Sequence, residues 1–241
     1  LLSVYWAIRL QKRPDILTIS FVLMSAFCMA LMHVGLLWYA VYMTVISLCW
    51  GVLGRSKKKV FLKRPVRRVM FAGLLVACAI VLAQKMGWYL SVGHALDGAE
   101  DFRHAAGTIH ARTTYGIMLD TSSVLGLVKT IPMIFVQYMF APFPWQVENV
   151  KDIYALLESI LRFLLLFFAI SSWRRSSGEV RSCYSFLLIT VLGMELVWAL
   201  GTANWGTAIR HHVPGYGVIV LLGVPGLTLF IRKLQFGIFG R

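Results

Sequence analysis

Gly201-Thr202-Ala203-Asn204-Trp205-Gly206-Thr207-Ala208-Ile209-Arg210-His211-His212-Val213-Pro214 lies between two apolar runs, 183–200 and 214–231. Each run is about as long as a bilayer crossing requires, roughly 20 residues at 1.5 Å per residue. The stretch between them is dense in glycine and hydroxyls and carries an amide, an indole, a guanidinium and two imidazoles. It predicts a polar turn joining two transmembrane helices, with glycine and proline bending the backbone. Its polar groups either hold an anionic, sugar-like or headgroup-like ligand or face water.

The rest of the chain agrees with that class. Of 241 residues, 59% are hydrophobic and 14% charged, and the mean hydropathy is +0.73. A soluble domain carries about a quarter charged residues. The expected fold is all-α: a multi-spanning transmembrane helical bundle, treated as one domain over 1–241. The chain does not open on Met and shows no secretory signal pattern. The expectation is therefore that it is the C-terminal part of a larger protein.

Net charge is +14, from 24 Lys and Arg against 10 Asp and Glu. Most of the basic residues stand at the ends of apolar runs, so they read as inner-face anchors rather than a nucleic-acid surface. The loop 55–68 holds eight basic residues and no acid. It is the strongest topology signal and places that loop in the cytoplasm, where it can also attract anionic lipid headgroups. Cys28, Cys49, Cys78 and Cys183 lie in or beside apolar runs, with no disulfide framework and no metal-ligand spacing. No metal and no cofactor is expected.

In chain order, 15–54 suits two crossings with a turn at Met32-His33-Val34-Gly35, or one long tilted helix plus an interfacial one, and 69–87 is the next crossing. Residues 88–120 read as a polar external loop with short helical pieces, broken by Gly93, Gly98 and Gly107. Residues 151–173 cross inward to Arg174, Arg175 and Arg181. Residues 183–200 return outward, 201–213 is a second external loop, and 214–231 comes back to Arg232 and Lys233. Counting sides leaves 121–140 starting and ending on one face. That run, capped by Asp120 or Thr121 and closed by Ala141-Pro142-Phe143-Pro144-Trp145, is a re-entrant or interfacial helix. The alternative is that 121–140 spans the membrane fully and one of the other crossings is miscounted.

The two external loops carry Arg103, His104, His110, Arg112, Arg210, His211 and His212. Anchoring at the inner face does not explain arginines there. They either pair with Asp97, Glu100, Asp101 and Asp120 or bind an anionic substrate, since a guanidinium holds phosphate in a planar two-point contact. A histidine such as His211 suits general-base work on a sugar hydroxyl. Glu158 and Arg162 are spaced to pair on one helix face. Glu195 is an isolated acid inside a crossing. It pairs with Arg162, Lys129 or Arg210, or lines a substrate cavity. Trp145 and Trp205 stack on a sugar or anchor at the headgroup level, and Asn204 caps a helix or binds a ligand.

Three stretches carry a family resemblance: Ala111-Arg112-Thr113-Thr114-Tyr115-Gly116 through Asp120-Thr121-Ser122-Ser123; Phe140-Ala141-Pro142-Phe143-Pro144-Trp145; and Gly201 through His212. Over about 103–220 the chain resembles the C-terminal part of bacterial O-antigen or exopolysaccharide repeat-unit polymerases, multi-spanning proteins of the inner membrane. The resemblance implies joining of undecaprenyl-diphosphate-linked oligosaccharides at the periplasmic face, with Arg112 and Arg210 on the pyrophosphate and Arg103 behind them. The expected catalytic set is Arg112, Arg210, His211 and Glu195. The expected substrate contacts are Arg103, His104, His110, Asn204, Trp205 and Trp145. Expected partners are a lipid-linked sugar, membrane lipids and envelope-complex subunits, and no nucleic acid. A related lipid-phosphosugar glycosyltransferase is a second enzyme reading. A non-catalytic structural or transport subunit of an envelope complex is the alternative.

Overall fold

The computed structural model describes residues 2–12, 16–32, 38–39, 41–47, 92–108 and 112–239. Its named helices are α1 (Leu2–Lys12), α2 (Ile16–Met32), α3 (Val92–Thr108), α4 (Val124–Phe140), α5 (Val150–Arg175), α6 (Gly178–Leu200) and α7 (Trp205–Phe239). A 3-10 turn spans Pro144–Gln146. Among the described residues there is no strand, and the all-α class holds. The chain forms two compact units, Leu1–Asp101 and Phe102–Arg241.

In the first unit, α1 and α2 close on Leu10, Ile19 and Val22, with Trp6 and Leu23 packed against them. The Trp6 and Phe21 rings stack at 4.2 Å, and the Arg9 guanidinium lies over the Trp6 ring at 5.2 Å from its centroid. The expected turn at 32–35, except for Met32, the basic loop 55–68 and the crossing 69–87 lie outside the described residues.

The second unit is built on α5, α6 and α7, each long and apolar enough to cross a membrane. These three helices mark the chain as a membrane protein. Exposed Leu157, Phe163, Leu164, Phe167 and Ile170 along α5 are what a lipid-facing helix presents. The caps follow from local chemistry. Asn149 and Asp152 exchange side-chain acceptors for backbone N–H groups at the start of α5. Arg174 and Arg175 sit in its last turn, where cations complement the helix dipole. Between α5 and α6 the backbone turns at Gly178, which adopts φ +56°.

α4 has 17 residues, so it is about 25 Å long, short of a hydrocarbon core of about 30 Å. Its cap is Ser123, whose Oγ accepts from Gly126 N at 3.0 Å, rather than Asp120 or Thr121. Asp120 instead folds the approach, accepting from Ser122 N at 3.0 Å. The helix stops at Ala141, the residue before Pro142, because proline disfavours a helical predecessor.

Two expected loops are largely helical. Residues 92–108 form one continuous helix. A glycine inside a helix costs only about 1 kcal/mol relative to alanine, so Gly93, Gly98 and Gly107 weaken α3 without breaking it. Of the stretch 201–213, only 201–204 is non-helical. Asn204 Oδ1 accepts from Thr207 N at 2.8 Å and starts α7 there.

α7 lies against α5 at very short range. A Cβ on Gly223 would meet the Leu165 carbonyl oxygen at 2.5 Å, a contact that only backbone movement could relieve. Gly223→Ala is therefore expected to cost about 1–3 kcal/mol, as overpacking does. Gly201→Ala, with nothing within 4 Å of the added carbon, should stay within about 0.5 kcal/mol of wild type. Thermal unfolding of the two variants in detergent compares them directly.

Candidate functional site

At one end of the second unit, two polar segments distant in sequence pair with each other. Thr114 and Asn204 form an isolated antiparallel bridge. Tyr115 N donates to the Ala203 carbonyl at 3.0 Å, and Trp205 N donates to the Thr113 carbonyl at 3.2 Å. The rings of Tyr115 and Trp205, both buried, meet at 6.3 Å behind the bridge. The 113–115 and 203–205 segments are thus joined through their backbones.

Three arginines surround this pairing, and they differ in what they hold. Arg103, on α3, is buried. Its Nε and Nη2 donate to the Ile117 carbonyl at 3.2 and 3.0 Å. Its Nη1 donates to the Ala199 and Thr202 carbonyls at 3.1 and 2.6 Å. Ala199 lies in the last turn of α6, so Arg103 adds its donor to the Gly201 and Thr202 N–H groups that already close that helix end. Burial pulls its pKa below the ordinary arginine value, and the neighbouring Tyr115 acts in the opposite direction. Desolvation pushes the Tyr115 phenol well above its ordinary range, keeping it protonated.

Arg112 grips Asp152 with both terminal nitrogens, at 2.5 and 3.0 Å, with Glu148 at 3.7 Å. The hydrogen bond to Asp152 raises the Arg112 pKa above its ordinary value. Asp152 also accepts from Glu148 N and Asn149 N at 3.1 and 3.2 Å. The pair therefore pins the 112–116 segment to the capped start of α5. Arg210, on α7, is exposed and makes no hydrogen bond or ion pair among the described residues.

The other expected contacts take varied positions. His211 Nδ1 lies 2.8 Å from Thr202 Oγ1, and its ring stacks on Trp198 at 4.2 Å. Asn204 is spent as the α7 cap, and Trp205 is a core residue at 5% exposure. Trp145 is 79% exposed and stacks on Phe143 at 5.0 Å. His104 is exposed on α3. His110 lies outside the described residues. Among the described residues, no group of three or more His, Cys, Asp or Glu side chains gathers as a metal site would need. A small hollow lined by Arg103, Thr114, Gly116, Ile117, Met118 and Ala203 opens beside the bridge. Neither Arg112 nor Arg210 lines it.

Beneath this rim lies a buried charge network. The expected pair is present: Arg162 Nη2 donates to Glu158 Oε1 at 3.1 Å. Arg162 Nη1 donates to the Met139 carbonyl at 2.6 Å and reaches His212 Nε2 at 2.7 Å. His212 Nδ1 lies 2.6 Å from Glu195 Oε2. Glu195 is fully buried, and His212 and Arg162 are 1% and 2% exposed. Glu195 therefore pairs with His212, not directly with Arg162, Lys129 or Arg210. Gly215 makes room for it: a Cβ there would collide with Glu195 Oε1.

A comparison of the chain with protein-family models, with curated proteins and with solved structures finds no match.

The network's tautomer follows from donor counting. A guanidinium has only donors and keeps its charge in proteins, so His212 Nε2 accepts from Arg162. Nδ1 then carries the proton and donates to Glu195. Arg162 stands between the carboxylates of two helices. Sequence reasoning found Glu158, Arg162 and Glu195 as intramembrane charges. It missed His212, which looked like a loop residue beside His211. The missed signal was register: once Asn204 caps α7, His211 and His212 point to different sides of a helix about two turns from its start.

Removing one member of a buried ion pair strands the other, at about 3–5 kcal/mol. Arg162→Met is expected to fall in that range. Glu158→Gln should cost clearly less, because that side chain retains 14% exposure. Chemical or thermal unfolding of purified protein in detergent measures both.

Proposed function

We propose that the chain belongs to a multi-spanning enzyme of the bacterial inner membrane that transfers or polymerises lipid-diphosphate-linked oligosaccharide at the external face. One observation carries this reading: of the three arginines at the polar rim, Arg103 and Arg112 are held by protein acceptors, whereas Arg210, exposed in the first turns of a helix, makes no side-chain hydrogen bond or ion pair among the described residues. A guanidinium kept at a polar rim without a carboxylate is a site for a ligand anion. The N-terminal end of α7 adds the positive pole of a helix dipole on the same element. Arg103 and Arg112 then act as frame, holding the bridged segments in place. Charge developing on a departing pyrophosphate is met by Arg210. His211 lies beside it in sequence, its ring fixed by Trp198 and Thr202.

A second reading rests on the other two arginines. Arg112 is neutralised by Asp152 and Glu148, and Arg103 is occupied by backbone carbonyls, which suits a non-catalytic subunit of an envelope complex.

Complementation separates the two. In a host lacking the gene, the wild-type protein restores long-chain polysaccharide, and Arg210→Ala lowers it by about tenfold or more, as loss of one transition-state contact does, at unchanged protein level. Arg112→Ala weakens the frame and lowers activity together with thermal stability. Full polymer synthesis in both variants excludes the enzymatic role assigned to these residues. Failure of the wild-type protein to affect polymer at all favours the subunit reading.

A further inference from the structure

His212 Nε2 has two neighbours that ask opposite things of it. Arg162 Nη1, a donor, stands at 2.7 Å. The Tyr138 carbonyl, an acceptor, stands at 3.1 Å. A neutral ring whose proton sits on Nδ1, toward Glu195, satisfies the first and leaves the second without a proton. A protonated ring satisfies the second and turns an N–H against a guanidinium N–H at hydrogen-bond distance. Both arrangements cannot coexist, so the proton count on His212 selects between them.

The partners for the second arrangement are already in place. Glu195 Oε2 receives the Nδ1 proton in either state. Arg162, once displaced from Nε2, keeps Met139 and Glu158 as acceptors. Its Nε and the Glu158 Oε2 are both buried atoms without a hydrogen bond, and they are complementary. A small rotation toward Glu158 converts a one-point contact into a two-point guanidinium–carboxylate pair. The charge sum also favours two populated states. With both carboxylates ionised, the neutral ring leaves the cluster at −1 and the protonated ring brings it to zero, which matters in a low-dielectric interior.

We infer that the Glu195–His212–Arg162–Glu158 cluster is a proton-binding site in which uptake of one proton at His212 Nε2 passes that nitrogen from Arg162 to the Tyr138 carbonyl and moves Arg162 onto Glu158. The proton comes from water, and no bond other than hydrogen bonds changes. The groups at His212 are the Tyr138 ring and carbonyl from α4, Arg162 from α5 and Glu195 from α6, with Glu158 reached through Arg162. Tyr115 and Tyr216 lie within electrostatic range of Arg162. The tyrosines are neutral in both states, so the switch is governed by the two carboxylates and the guanidinium. Because Arg162 holds the end of α4 through Met139 and also contacts α7, its movement changes how α4 is held. This inference rests on the buried cluster alone and stands apart from the role of Arg210.

The test is nitrogen NMR of the full chain in lipid nanodiscs with labelled histidine, His212 being assigned by its loss in His212→Gln. In wild type the ring is expected to show a protonated Nδ1 and a bare Nε2 at about pH 9, and two protonated nitrogens on acidification to about pH 5. At the pH where the wild-type ring is half protonated, Glu158→Gln removes the destination of Arg162 and should lower the protonated-to-neutral ratio about tenfold. Arg162→Lys keeps the charge but loses the planar fork, and should broaden or abolish the two-state behaviour. If neither variant folds, the wild-type titration alone decides. A His212 ring that keeps one protonation state from about pH 5 to pH 9 overturns the inference. So does a Glu158→Gln protein that titrates like wild type.

Discussion

A guanidinium cannot shed its proton to escape a buried site, and Arg162 is buried at the level where α4, α5 and α7 meet. The surrounding chain must therefore answer its donors. Met139 supplies a carbonyl near the end of α4, Glu158 a carboxylate one turn earlier on α5, and His212 a ring nitrogen on α7. His212 in turn needs an acceptor at Nδ1, which Glu195 provides from α6. Four helices are thus keyed to one another by a single charge. Without it, apolar surfaces of this kind slide easily, because lipid offers no hydrophobic reason to prefer one helix register over another.

The same residue type is used differently at the rim. Arg103 acts on backbone, collecting the carbonyls of Ala199 and Thr202 at the end of α6 and of Ile117. Arg112 acts on a side chain, locking the start of α5 through Asp152. Arg210 is left facing outward. Arginines held by protein acceptors and an arginine left exposed are indistinguishable as letters in a sequence. Their separation depends on which of them finds carbonyls or carboxylates at hydrogen-bond distance, and that is a property of packing.

Close helix approach makes both layers possible. Gly223 lets α7 lie against the α5 backbone at Leu165, and Gly215 leaves room for the Glu195 carboxylate. The polar core therefore sits between helices too close for water to dilute its electrostatics, which raises the consequence of each proton gained or lost.

Helix class and the three apolar spans were legible in the chain itself, because about twenty apolar residues in a row leave the backbone no way to satisfy its polar groups in lipid except as helix. The Glu158–Arg162 pair was equally local, since four residues are one helical turn. Loop limits were not: glycine at 93, 98 and 107, and the polar stretch after Asn204, read as breaks, yet tertiary and capping contacts carry the helix through them. The identity of Glu195's partner, the burial of Trp205 and the division of labour among Arg103, Arg112 and Arg210 all involve residues far apart along the chain. Their distances exist only once the helices have chosen a register, so packing alone decided them.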